Sequence, residues 1–368
     1  MKKSFATVLV LSFCTVMHIN AEDAKVMPLR VGRIYLAPTL GFANGKFDSD
    51  GRYDSYSSGE GSKKLFNLGL VAEYGITDWI SGAIQWAPGW NVWSDVDKNL
   101  GSKSDVNING VADLFVGAKV QIIGEKAPVK TDMFRLSLAP GLKIPMPGSG
   151  FEEQAKNIGK NDPVTAANID KHVLGTGVRF FFDYIINDNF FINLYSEFLL
   201  YPVKGDLKKS GLEGYGVAAA VFPASVPGFG GKKIVASGTV NYGYDLTFEL
   251  EPVFSMPMAE GTTFAAGLPF NFKLTPGKDY DITYTNDFKT LANAMPPVAK
   301  QIKQNVEGNL TGEDPTYFFS IKPNVSMFFR GWTLPTELKL LYSVPVAGKN
   351  NVDAMHSLTF QVRLYFKI

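Results

Sequence analysis

From about residue 30 to the end of the chain, apolar residues return at every second position, segment after segment. The last segment is the cleanest: Leu358, Phe360, Val362, Leu364, Phe366 and Ile368 alternate with Thr359, Gln361, Arg363, Tyr365 and Lys367. Successive side chains of a strand point to opposite faces, so this segment has one oily face and one polar face. The same period marks Ile34–Phe42, Phe66–Tyr74, Ile80–Trp86, Leu114–Ile122, Phe134–Ile144, Leu174–Tyr184, Ile192–Leu200, Ile234–Leu250, Phe264–Phe272, Tyr317–Phe329 and Leu338–Val344. Together they predict twelve strands, with ten or fourteen as the neighbouring counts.

The connections carry a second signal. Short links at Gly75–Asp78, Asn187–Asn189, Met258–Gly261 and Arg330–Thr333 alternate with long polar ones such as Ala43–Lys63, Pro88–Gly110, Pro145–Lys171, Pro202–Lys233 and Thr275–Pro315. Outer-membrane barrels have short periplasmic turns and long outer loops, whereas a soluble sandwich has no reason to alternate them. The fold class expected is therefore all-β, a transmembrane antiparallel β-barrel with its oily face toward lipid. Two long links hold more than polar spacer. Asp287–Glu307 has the character of a helix broken at Pro296 and Pro297, and Gly214–Phe229 is unusually apolar. That apolar stretch reads as an extra hairpin, a self-packed loop, a lumen plug or a landing site for an apolar solute.

Composition fits a barrel once the alternation is known. The chain has 368 residues, 45% of them hydrophobic and 19% charged, and no apolar run reaches the roughly 20 residues of a membrane helix. Only alternate strand residues meet lipid, which dilutes the hydropathy signal. A net charge of +1 argues against nucleic acid, since no basic excess is present to displace counterions. Residues 1–21 read as a cleaved secretory signal, with Lys2 and Lys3 before an apolar core from Phe5 to Val16 and Ala21 at the cut. Residues 22–368 then form a single outer-membrane barrel domain. Cys14, the only cysteine, falls inside the signal, so the mature chain has no disulfide, thiolate site or cysteine nucleophile. Lipidation at Cys14 is disfavoured by the bulky Phe13 before it. The partners expected are outer-membrane lipids, the barrel-assembly machinery and hydrophobic small molecules.

Three segments resemble a known family. Glu73-Tyr-Gly-Ile-Thr-Asp78, Gly110-Val-Ala-Asp-Leu-Phe-Val-Gly-Ala-Lys119 and Leu138-Ala-Pro-Gly-Leu-Lys-Ile-Pro145 are similar to motifs of the outer-membrane transporters of the phenol-degradation meta-pathway. That family is similar in style to the long-chain fatty-acid channels. The resemblance implies passive uptake of hydrophobic or aromatic solutes. The fatty-acid channels carry an amino-terminal hatch, whereas here the first strand starts soon after the predicted cut. Occlusion is therefore expected from outer loops or lumen side chains.

With the oily face outward, Glu73, Asp113, Asp183, Glu197, Asp245, Glu249 and Glu337 line the lumen beside Lys119, Arg135, Lys143, Arg179, Lys273, Lys322, Lys339 and Arg363. The signs nearly balance, so neither strong cation nor strong anion selectivity is indicated. An ion-paired network filling a narrow barrel explains these residues simply. Phe181, Phe191, Tyr195 and Leu199 share the polar register, and apolar groups in a wet lumen are costly unless they pack together or an apolar solute passes them. They are the candidate solute path, with Arg179 and Lys143 to hold a carboxylate and Trp90 and Trp93 to capture the solute at the rim. No catalytic residue, cofactor or metal ligand is assigned. His172 and His356 have no serine in a nucleophile context beside them, Gly214–Ala219 mimics a dinucleotide loop without its helix, and Asp95–Gly101 mimics a calcium loop without its closing glutamate. The rival readings are a sealed structural or adhesive surface barrel and a general porin.

Overall fold

The computed structural model of the chain describes residues 23–56, 62–94, 106–146, 164–168, 171–209, 217–308, 310 and 312–368. The predicted signal at residues 1–21 and the calcium-like Asp95–Gly101 stretch lie outside them. Twelve antiparallel strands close into a barrel. They are β1 (Val31–Ala43), β2 (Lys63–Gly75), β3 (Ile80–Ser94), β4 (Val106–Val111 and Leu114–Ile123), β5 (Phe134–Ile144) and β6 (Gly175–Asn187). The second half comprises β7 (Phe190–Leu200), β8 (Tyr244–Pro257), β9 (Thr262–Gly267 and Phe270–Thr275), β10 (Thr316–Ile321 and Asn324–Phe329), β11 (Thr336–Lys349) and β12 (His356–Lys367). Each strand pairs with its neighbours in the chain, and β12 returns to β1 with Val31 opposite Lys367 and Phe42 opposite His356. Closure removes the unpaired edges that an open sheet would present.

The alternation read from the sequence maps onto two faces. Ile34, Leu36, Leu40, Phe248, Leu250, Leu340, Leu358 and Phe360 are exposed on the outside, while Arg33, Glu73, Lys119, Asp183, Glu249, Lys339, Gln361 and Arg363 are buried within the lumen. Tyr74, Trp79, Phe134, Tyr184 and Trp332 remain exposed at the short-turn end, where amphipathic rings mark a membrane interface. Among the described residues no helix is long and apolar enough to cross a membrane.

Prolines interrupt the ladder at one height across neighbouring strands. The N–H groups of Leu268, Lys322 and Tyr342 donate to the carbonyls of Pro252, Pro269 and Pro323 at 3.1, 2.8 and 3.0 Å. Proline cannot donate, yet its carbonyl still accepts, so β9 and β10 break without leaving the wall open there.

One predicted strand requires correction. Ile234–Leu250 does not run through as a single barrel strand. Gly243 takes φ +63°, a conformation glycine adopts at little cost, and it divides the stretch. Val235–Asn241 pairs instead with Asp279–Tyr284 and Gly205–Asp206 in a small sheet beyond the barrel, and β8 starts at Tyr244 and reaches Pro257. The helix foreseen in Asp287–Glu307 is present as α1 (Asn286–Ala294) and α2 (Pro296–Glu307), divided at Met295. The Thr285 hydroxyl accepts from the Phe288 N–H at 3.3 Å and caps α1, while Pro296 and Pro297 open α2, where a missing N–H costs nothing. Phe288, Leu291, Ala299, Ile302 and Val306 pack on Val217, Phe222, Val226, Ile234 and Val235. The described part of the apolar Gly214–Phe229 stretch is thus half of a self-packed core at the long-link end.

Candidate functional site: the lumen

The lumen is built in three tiers. At the short-turn end, residues 23–30 leave β1 and fold back inside the barrel. Ala24, Val26 and Met27 are buried, at 0%, 8% and 9% exposure. The Ala24 N–H donates to both carboxylate oxygens of Asp183 at 2.9 and 3.0 Å, and its carbonyl accepts from Gln121 at 3.0 Å and from Ser137 at 2.5 Å. Lys119 donates to the Asp23 carbonyl at 2.5 Å. Where the segment turns, the Arg30 N–H donates to the Gly75 carbonyl at 3.0 Å and the Leu29 N–H to Asp78 at 3.2 Å. A Cβ on Gly75 would lie 2.0 Å from the Pro28 carbonyl oxygen, so glycine is required for this approach. Glu73 completes the tier, accepting from Arg33 at 2.6 Å and Ser81 at 2.7 Å.

This tier differs from the expectation that only outer loops or side chains occlude the lumen. The segment has no period and no strand or helix signal, so the sequence alone does not reveal it. The signal was present in its receptors. Gly75, Asp78 and Lys119 belong to the two leading motifs, and all three contact this one segment.

The middle tier is an ion-paired network. Arg179 is paired with Glu197, donates to Gln85 at 2.7 Å and lies 3.8 Å from the centre of the Phe115 ring. Glu249 accepts from Lys322 at 2.9 Å and Asn271 at 2.8 Å. Glu251 accepts from Asn324 at 2.8 Å and Asn193 at 3.3 Å, with Lys339 4.0 Å away. Glu337 is held by Arg363 at 3.3 Å and Tyr365 at 2.9 Å. Buried charges survive only when paired and hydrogen-bonded, as these are. Sequence reasoning found most of the charges but missed Arg33 and Glu251, and it gave no weight to the inward amides that share the load.

Toward the long-link end, Asp245 accepts from Lys171 at 2.7 Å, the Tyr201 hydroxyl at 2.8 Å and Thr275 at 2.9 Å. The Lys171 ammonium lies 3.9 Å from the centre of the Tyr201 ring and 5.4 Å from that of Tyr242. Burial pulls Lys171 down to about 8, with the Asp245 carboxylate working the other way. Val173, Leu199, Tyr201, Leu207, Ala218, Val240 and Tyr242 form an apolar cluster here, so the small sheet and the barrel mouth share one seam.

The structure divides the candidate path among these tiers. Phe181 packs with Ala24, Ala139 and Tyr195, its ring 5.3 Å from that of Tyr195 and 4.0 Å from the Lys119 ammonium. The Tyr195 hydroxyl donates to Glu197 at 3.1 Å. Leu199 belongs to the outer cluster. Phe191 sits on the same strand face, opposite Val253. Lys143 lies 5.9 Å from the Tyr201 ring centre. Trp90 and Trp93 lie in β3 opposite Asn67 and Lys64, and their side chains fall outside the described residues. His356 stacks on Phe42 and shares a hydrogen bond with Tyr342 at 3.0 Å.

No family model matches the chain, and no curated protein matches it. Solved structures do. An outer membrane channel from Pseudomonas putida F1 superimposes with a TM-score of 0.58 at 13% identity, covering 95% of this chain and 100% of that one. The β domain of the Bordetella autotransporter BrkA gives 0.39 at 9% identity, covering 91% and 98%. The CymD monoaromatic hydrocarbon channel gives 0.35 at 9% identity, covering 93% and 89%. The first likeness establishes the fold, a closed twelve-stranded barrel of the outer-membrane type.

Proposed function

We propose that this chain is an outer-membrane channel for passive uptake of small hydrophobic or aromatic solutes, and that its present conformation is the closed one. The short turns then face the periplasm and the small sheet with α1 and α2 faces outward. The observation that carries this reading is the kind of object that fills the inner lumen. A barrel sealed for strength alone is filled by side chains rooted in its wall. Here a backbone segment supplies the stopper, held by hydrogen bonds that Lys119, Gln121 and Ser137 donate to it and one that Asp183 accepts from it. Its Ala24 covers Phe181 beside Tyr195, apolar surface that would otherwise be hydrated at a cost of roughly 25 cal/mol per Å².

Withdrawal of the segment uncovers an apolar step at Phe181 and Tyr195, with Phe191 toward the periplasm and Leu199 toward the cap. The cationic groups Arg179 and Lys143 flank that path for a solute bearing a carboxylate. The motif resemblance to phenol-pathway transporters and the fold shared with a Pseudomonas channel support the same reading. The sealed surface barrel is the second reading, favoured by the density of ion pairs in the middle tier.

Cells expressing the chain, cells expressing it without Asp23–Met27, and empty cells separate the two. The measurement is the rate at which N-phenyl-1-naphthylamine, a neutral aromatic dye, lights up the envelope. The intact chain should accelerate dye entry over empty cells, and the deletion should accelerate it further. Equal rates in all three strains, with the barrel folded in the outer membrane, would leave the sealed barrel standing.

A further inference from the structure

The barrel wall has a notch at its outer rim. The β11–β12 ladder ends at Ser343 opposite Ser357. Above that point β12 stays with β1, ending at His356 opposite Phe42, while β11 stays with β10 up to Lys349 opposite Tyr317. Pro345 has no N–H to give the ladder, and the register shifts beside it, leaving Val346 unpaired. The two strands therefore part, and a cavity of about 330 Å³ opens between them, lined by Phe42, Asn44, Phe47, Tyr53, Val346 and His356 among others.

Three properties define what fits. The cavity adjoins the outward apolar field of Leu40, Phe42, Val346 and Leu358, all more than two-fifths exposed, so it opens from the lipid side. Its volume is at the lower end of the roughly 300–1,000 Å³ of ligand sites, suited to a stretch of one acyl chain and too small for a whole lipid. Its rim is cationic: Lys64 stands across the ladder from Phe42, Lys349 follows Val346 on β11, and both are exposed. The neighbouring acid, Asp353, is already engaged by Lys63 at 2.9 Å and Tyr56 at 2.5 Å. A lysine on the lipid-facing side at a membrane rim reaches its charge to the headgroups.

We infer that this notch seats one acyl chain of an outer-leaflet lipid, with the lipid's anionic headgroup against Lys64 and Lys349. The stretch of that chain next to the headgroup lies on Phe42 and Val346, with the stacked Phe42–His356 pair, 5.1 Å apart, as its floor. This rests on the placement of the barrel in the outer membrane and is independent of what the lumen conducts.

The test uses protein extracted from the outer-membrane fraction and examined by native mass spectrometry. It is titrated with dimyristoyl phosphatidylglycerol or with phosphatidylcholine of the same chains. Wild type should retain one phosphatidylglycerol about 10-fold better than phosphatidylcholine. Ala354→Trp, which fills the cavity, should abolish retention of both, and the double change Lys64→Gln with Lys349→Gln should erase only the headgroup preference. Heat-modifiable gel mobility checks folding, and Val346→Trp is the second filling variant should the first misfold. Undiminished retention in a folded filled variant, or no retained lipid in wild type, overturns the notch. Failure to find the protein in the outer-membrane fraction overturns the placement instead.

Discussion

Gly75→Ala should unseat the lumen segment without disturbing the barrel. The added Cβ would sit 2.0 Å from the Pro28 oxygen and 2.4 Å from that of Met27, where ordinary contact begins at 3.4 Å. Both obstacles are backbone, so the segment must retreat by about 1.4 Å, a shift large enough to lose hydrogen-bond geometry. The Arg30 and Leu29 contacts at the turn go first, and the strain passes along the short segment to Ala24. If three hydrogen bonds at about 1 kcal/mol each are lost, the closed state weakens by about 3 kcal/mol, or roughly 100-fold in the open-to-closed ratio. Planar-bilayer recording reads this directly. Openings should become about 100-fold more frequent, with the open-channel current unchanged. Gly82→Ala is the control, because its Cβ would meet only the Ile76 side chain at 3.7 Å. If Gly75→Ala and the Asp23–Met27 deletion both record like wild type, the segment is not the stopper and the reasoning fails.

Three further outcomes follow from the same geometry. Lys322→Met strands the buried Glu249 carboxylate and should cost about 3 kcal/mol. Adding Glu249→Gln should restore more than half of that in urea titrations, since the two sites are coupled. Leu291→Ala empties a fully buried position in the cap core and should cost about 3 kcal/mol; faster amide exchange should be confined to α1 and α2, leaving β6 and β7 protected. Lys171 titrates at about 8 in the fold, below the ordinary 10.5. Between those values the unfolded chain holds the proton and the folded one does not, so stability should rise with pH across that window, by up to about 3 kcal/mol. In Lys171→Met that rise should vanish, as judged by urea midpoints from pH 7 to 10.5.

Barrel strands are legible because the lipid and the lumen impose opposite solubility on alternate residues over the full length of each strand. The closing segment shows this best: Leu358 and Phe360 are exposed outward while Thr359 and Gln361 are buried inward. The same rule misjoined Ile234 to β8. Val235 and Val240 are buried against a cap rather than facing lipid, and a period of two does not distinguish a membrane from a packed sheet. The lumen charges were legible as a set, since they fall on the polar face, but their pairing was not. Glu249 meets Lys322, which is 73 residues away in sequence, and only barrel register decides that. The apolar 217–229 stretch was legible as anomalous; its answer lay in α1 and α2, a sequence-distant partner.

The motifs are the instructive case. Read as words, Glu73-Tyr-Gly-Ile-Thr-Asp78 and the strand ending at Lys119 point only to a family likeness. In the fold they are a clamp. Gly75 admits the Met27–Pro28 backbone, Asp78 and the Gly75 carbonyl hold the turn, and Lys119 holds the far end at Asp23. Asp183 and Ser137, outside those two motifs, close the clamp around Ala24. The hydrogen bonds of Ala24 to the wall run through its backbone N–H and carbonyl, while its methyl packs on Phe181. Ser137→Ala and Gln121→Leu, which each remove one donor from the Ala24 carbonyl, should raise opening about 5-fold apiece at about 1 kcal/mol per bond. Their combination should do more than either alone, because a buried carbonyl with no donor left pays the full cost of desolvation. A double variant that opens no more often than the singles would mean that the Ala24 carbonyl does not hold the stopper, leaving Lys119, Asp183 and the turn at Gly75 and Asp78 to do so.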